Sequence, residues 1–180
     1  MKGHRMADPL LVTPPLAIVV MGVSGSGKTE VGRLLASDIG YEFHDADHFH
    51  PQENVELMRA GIPLDDAKRV PWLDRLASLI DAAVRERRGI VLACSALKRS
   101  YRTRIGVGKP EVALVHLDGS EDLIRERLKQ RTGHFMPASL LASQCALLER
   151  PSDDERPIRI DVAPAPDEIV RRIKAAIACL

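Results

Sequence analysis

The chain has 180 residues, close to one domain at roughly 150 residues each, and is long enough to bury a core without disulfide staples. Its composition is 45% hydrophobic and 28% charged, with 26 Lys+Arg against 25 Asp+Glu, which excludes a disordered chain and the bulk basic field of a nucleic-acid binder. Cys94, Cys145 and Cys179 are widely spaced without a C-x-x-C, which argues against a disulfide framework or four-cysteine zinc site and for a reduced, cytoplasmic setting.

Residues 1–15 read as a flexible leader. Met1 to Arg5 carry positive charge, but Asp8, Pro9, Pro14 and Pro15 interrupt the apolar region a signal peptide needs. The apolar stretch 16–23 is far shorter than the ~20 residues of a membrane helix, so no membrane partner is expected. From residue 16 to 180 a single domain is expected. Strand 16–21 leads into Gly22-Val23-Ser24-Gly25-Ser26-Gly27-Lys28-Thr29, and helix 28–39 follows, with Val31, Leu34, Leu35 and Ile39 on one face. The octapeptide matches G-x-x-x-x-G-K-[ST] in the context its mechanics require, strand before and helix after. In such a cradle the backbone N–H groups of Gly22, Ser24, Gly25, Ser26 and Gly27 curl around phosphate oxygens at a positive helix end. Lys28 is expected on the β- and γ-phosphates of a bound nucleotide, and the Thr29 hydroxyl on Mg2+.

Strand 41–45 ends in His44-Asp45-Ala46-Asp47-His48-Phe49-His50-Pro51, at the sheet edge that also carries the cradle. In an extended segment Asp45 and Asp47 share a side, which suits Asp45 for magnesium and Asp47 for the proton of an attacking hydroxyl. His44, His48 and His50 also invite a zinc reading, but no fourth ligand is evident. One imidazole is expected to donate to substrate, with His50 the candidate. Helix 54–60 precedes helix 72–87, which is expected to begin just after Pro71.

Strand 90–93 runs into Cys94-Ser95-Ala96-Leu97-Lys98. Lys98 and Arg102 then lie one helical turn apart and, with Arg69, form a set of cations for an acidic substrate, while Ser95 and Gln144 suit hydroxyls. Strand 112–117 ends at Asp118, a turn or cap residue beside Gly119 and Ser120. Helices 121–130 and 137–148 flank the polar stretch 131–139, expected to be a small lid. Arg127 and Arg131 border it one helical turn apart, cations suited to a transferred phosphoryl group. His134 lies within it and is assigned to phosphate or acceptor. Strand 158–162, a candidate adenine wall at 162–166 and helix 167–179 complete the chain. Strands alternating with helices give an α/β fold, a parallel sheet covered on both faces. The scarcity of aromatic residues leaves no stacking platform for nucleic acid.

A set of ordered blocks carries a family likeness between about Ile18 and Glu149. They are Met21 to Thr29, Asp45-Ala-Asp47, His50-Pro51 with Asn54, Gly61-Ile-Pro-Leu64 with Asp66, and Arg69 before Pro71-Trp72-Leu73. Cys94 to Lys98, Tyr101-Arg102, Gly133-His-Phe-Met136 and Leu140-Leu141 with Ser143-Gln144 continue the series. The chain resembles the gluconokinases, P-loop kinases related in fold to shikimate and nucleoside-monophosphate kinases. That resemblance implies a three-layer sandwich with a five-stranded parallel sheet in order 2-3-1-4-5, ATP with Mg2+, phosphorylation of D-gluconate at its 6-hydroxyl, and a homodimer. Gln144 rests mostly on the likeness. Thr29 stands where many relatives have serine, Lys68 where an acid is usual, and Cys145 where an aromatic is common. The rivals are a kinase of the same fold with another acceptor, such as shikimate or another sugar acid, and a nucleotide-binding regulatory module without turnover.

Overall fold

The structure, a computed structural model, describes residues 14–130 and 139–180. Five short strands form one parallel sheet: β1 (Ala17–Met21), β2 (Glu42–Asp45), β3 (Ile90–Ala93), β4 (Val112–Asp118) and β5 (Ile158–Asp161), with apolar runs in β1, β3 and β4. Their order is β2-β3-β1-β4-β5, with β1 central and Val19 in register with Leu92 on one side and Leu114 on the other. A strand's side chains alternate between faces, so the apolar runs divide between two cores. Ala17, Val19, Met21, Val112 and Leu114 face one; Ile18, Val20, Ala113, Val115 and Leu117 face the other. Each Ile or Leu buried this way contributes about 1.5–3 kcal/mol. On edge strand β5, Ile158 and Ile160 turn inward while Arg159 and Asp161 stay exposed.

Helices α1 (Lys28–Ile39) and α7 (Pro166–Ile177) cover the second core, and α3 (Asp66–Glu86) and α4 (Arg99–Arg104) cover the first. The short α2 (Gln52–Arg59) precedes α3, while α5 (Glu121–Gln130) and α6 (Ser139–Leu147) lie between β4 and β5 in the chain. Ile124 of α5 and Leu141 of α6 pack with Val23 and Leu97 in a satellite cluster under the phosphate loop. The predicted sheet order holds. The leader through residue 13 and the lid through residue 138 fall outside the described residues.

The start of α3 differs from expectation. The helix begins at Asp66, and Pro71 lies inside it, where its missing N–H removes one helical hydrogen bond. Asp65 caps the first turn by accepting from the Lys68 N–H at 2.7 Å, and Asn54 Nδ2 donates to the Lys68 carbonyl at 2.8 Å. These contacts support the turn ahead of the proline. Helix α4, which the sequence suggested only as a helical turn, carries Tyr101 and Arg102 inward.

Candidate active site

The phosphate loop owes its shape to close packing. A Cβ on Gly22 would lie 2.5 Å from Ser26 Oγ and 2.9 Å from the Leu117 carbonyl, so only glycine lets the loop cross β4 at that point. Gly27 sits at φ 93 as N-cap of α1 and offers no side-chain cap, leaving first-turn N–H groups open to an anion. Ser26 Oγ is buried without a partner in the loop, and Lys28 Nζ donates to the Val23 carbonyl at 3.0 Å. Ser26 Oγ packs beneath Gly22, away from the cavity, whereas Lys28 lines it.

Asp45 ends β2 facing this loop. Its Oδ2 accepts from the Thr29 hydroxyl at 2.9 Å, and its Oδ1 accepts from the Asp47 N–H at 3.1 Å. The expected extended segment is therefore corrected: Asp45 caps a 3-10 turn, Ala46–Phe49, and Asp47 reaches the cavity from that turn. Trp72 Nε1 donates to the Ala46 carbonyl at 2.8 Å and Arg75 Nη1 to that of Phe49 at 3.0 Å, so α3 holds the turn at both ends. Thr29 and Asp45 present hard oxygen donors side by side, a set that fits a hydrated magnesium ion.

His50 stacks on Trp72 with ring centres 4.4 Å apart. Burial, and then the Arg69 charge, lower its pKa from 6.5 to about 4. An unfolded chain takes up this proton near pH 6.5, so the stabilisation is complete above that value and is lost as pH falls towards 4. In thermal unfolding between about pH 7 and pH 4.5, the wild type's advantage over His50→Asn is expected to shrink as pH falls. His44 turns to the sheet edge, 3.4 Å from Glu42, and His48 is exposed. Among the described residues no three or more His, Cys, Asp or Glu side chains are grouped to hold a metal ion. The three imidazoles diverge: His44 lies on edge strand β2, His48 within the 3-10 turn, and His50 just after it against Trp72.

One cavity joins these groups. Ser24, Gly25, Gly27, Lys28 and Thr29 line one end, with Asp45, Asp47, His50, Arg69, Ser95 and Gln144 continuing around it. Gln144 Oε1 accepts from the Ser24 N–H at 2.6 Å, so this side chain grips the phosphate loop itself. Arg127 does not line the cavity; its Nη2 donates to the Val162 carbonyl at 2.7 Å, beside the loop read as an adenine wall. Gly22 and Ser26 shape the loop from beneath. Arg131 and His134 lie outside the described residues.

Two expected cations have other work. Lys98 Nζ is held by both carboxylate oxygens of Asp66, at 2.7 and 2.9 Å, and does not line the cavity. Arg102 is fully buried and paired with Glu155 at 2.6 and 2.9 Å, while its Nη1 donates to the carbonyls of Ala96, Leu97 and Glu149. This corrects Arg102 from substrate ligand to the tie that fastens the segment after α6 to α4. Arg102→Met leaves the buried Glu155 carboxylate with its Ser152 hydrogen bonds but without its counter-charge, at a cost of about 3 kcal/mol. For a chain of this size that lowers Tm by about 10 °C. Thermal unfolding measures the drop, and an acceptor KM near wild type in the folded variant separates it from a substrate-binding role.

Sequence reasoning named Tyr101, Trp72 and the apolar wall residues Ile62, Pro63 and Leu64 only as members of the family blocks and gave them no role at the cavity, and it passed over Met58 of that wall. A lone tryptophan directly after Pro71 was the available signal for Trp72; nothing local marked the wall.

A protein-family profile described as an AAA domain matches residues 18–151. Gluconokinase of Gluconobacter oxydans (strain 621H) is 47% identical over 165 residues, spanning 89% of this chain and 93% of that protein. The crystal structure of a gluconokinase from Sinorhizobium meliloti 1021 superposes with a TM-score of 0.82 at 46% identity, covering 92% of this chain and 93% of that one. Shikimate kinase from Aquifex aeolicus, at 17% identity and a TM-score of 0.58, shares the fold alone. A phosphate loop at the edge of a 2-3-1-4-5 sheet, with identity of this order over nine-tenths of the chain, makes the protein a member of the gluconokinase family.

Proposed function

We propose that the protein transfers the terminal phosphoryl group of ATP to the 6-hydroxyl of D-gluconate, releasing ADP and 6-phospho-D-gluconate. The observation that carries this reading is the convergence of Lys28, the Thr29–Asp45 pair and Asp47 on one cavity that has Arg69 on its wall. The N–H groups of the loop and Lys28 bind the β- and γ-phosphates. Asp47 orients the acceptor hydroxyl and takes its proton as the new O–P bond forms and the β–γ bridge breaks, the bridging oxygen leaving with its electron pair on ADP. Ser95 and His50 are assigned to sugar hydroxyls, and Arg69 to the carboxylate. Thr29 and Asp45 would hold Mg2+, which supplies neutralisation of phosphate charge. Arg127 is assigned to the nucleotide, a reading supported by its hydrogen bond to the Val162 carbonyl; Arg131 and His134 are assigned on the resemblance alone.

Residues 16–180 are proposed to act as one domain with a lid at about 131–139, in a cytoplasmic homodimer, in keeping with the resemblance. Among the described residues no helix is long and apolar enough to cross a membrane. A panel of gluconate, other sugar acids, shikimate and nucleoside monophosphates, read by coupled ADP release, tests the acceptor. Gluconate is expected to give the highest kcat/KM, and a clear preference for another acceptor overturns the reading. Absence of turnover with every acceptor favours the regulatory module.

A further inference from the structure

Arg69 and Tyr101 line the cavity, and two groups that do not line it stand behind them. Lys98 Nζ donates to both oxygens of Asp66. The Tyr101 hydroxyl also donates to Asp66 Oδ1, and accepts from Arg69 Nη1 at 3.3 Å. The Arg69 guanidinium and the Lys98 ammonium each lie 5.6 Å from the centre of the Tyr101 ring.

The charges in this cluster do not cancel: two cations share one carboxylate. Lys98 sits at hydrogen-bond distance from Asp66, whereas Arg69 Nη1 is 3.9 Å from it, beyond a direct hydrogen bond. The surplus positive charge therefore belongs to Arg69, the member that lines the cavity. Tyr101 is only 6% exposed, so packing fixes the direction of its hydroxyl even though Asp66 reaches into solvent. Its proton is committed to Asp66, which turns an oxygen lone pair towards Arg69. Burial, and then the bond to Asp66, raise the Tyr101 pKa, keeping this proton in place.

We propose that Asp66, Tyr101 and Lys98 are positioning residues that hold the Arg69 guanidinium in place for the acceptor's carboxylate, and that preference for an acid over its neutral counterpart is set by this relay. Lys98 then acts through Asp66 and never touches substrate. The inference deepens the gluconokinase reading and rests on it for the acidic acceptor.

The test is the ratio of kcat/KM for gluconate to that for its uncharged amide, gluconamide. Tyr101→Phe removes one hydroxyl and is expected to raise the gluconate KM about tenfold, the size of one hydrogen bond to a charged group, and to lower the ratio with it. Asp66→Asn is expected to lower the ratio in the same direction, and Arg69→Met to collapse it; KM for ATP stays put in all three. Lys98→Met is measured alone and in the Asp66→Asn background. An effect that disappears in that background supports action through Asp66, and one equally large there shows direct contact with substrate and overturns the assignment. A ratio unmoved by Tyr101→Phe and Asp66→Asn, in proteins with wild-type unfolding profiles, overturns the relay. Wild-type turnover of gluconate bears on the functional reading alone. Should the panel return another carboxylate acceptor, the ratio is taken on that acid and its amide; an uncharged acceptor sinks the proposal.

Discussion

Lys28→Met is expected to lower kcat on the order of 10³-fold or more, the scale at which preorganised charge on a transferring phosphoryl group acts. Lys28 opens α1, and its ammonium donates to the Val23 carbonyl within the loop. When a triphosphate enters, that ammonium can trade the Val23 carbonyl for charged oxygens, and the gain grows as negative charge shifts during transfer. Methionine keeps the length and apolar stem of the side chain and removes the charge. The fold should survive, since no core cluster includes Lys28. Coupled ADP release measures the rate, and thermal unfolding within a few degrees of wild type shows that the loss is chemical. A rate near wild type would place phosphoryl transfer elsewhere.

Asp47→Asn is expected to reduce kcat by about 10²–10⁴, the usual contribution of a positioned general base, with ATP affinity nearly unchanged. The amide preserves the side chain's shape. The bond from the Asp47 N–H to Asp45 uses the backbone and survives, as does the hold of Trp72 on Ala46. The variant thus isolates the proton acceptor from the turn that carries it. Asp45→Asn should behave differently, because Asp45 partners the Thr29 hydroxyl and caps the turn, so nucleotide binding and turnover both suffer. Steady-state kinetics with ATP and acceptor varied separately distinguish the two. An Asp47→Asn enzyme at full speed would remove Asp47 as the base.

What the chain disclosed in advance depended on how local the physics is. The apolar runs of β1 and β4 and the spacing of the phosphate loop act over a few residues, and both appear where periodicity and glycine placement put them. The shape of the second loop was not local. Alternation along a strand assumed that Asp47 continued β2, whereas Trp72 and Arg75, far along the chain, bind the turn that redirects it. Lys98 and Arg102 illustrate the same limit. Helical spacing treats them alike, yet Glu155, on the far side of α6, draws Arg102 into the interior, and Asp66 takes Lys98. Asp66 and Tyr101 were visible only as members of a family pattern, since their chemistry depends on meeting each other across α3 and α4.

Trp72 is the protein's single tryptophan, and it touches the second loop, His50 and the cavity at once. All indole fluorescence therefore originates beside the cavity, under the turn that carries Asp47. A titration of emission against acceptor, with and without nucleotide, is expected to shift if the acceptor enters that cavity, giving an unlabelled optical readout of its occupancy.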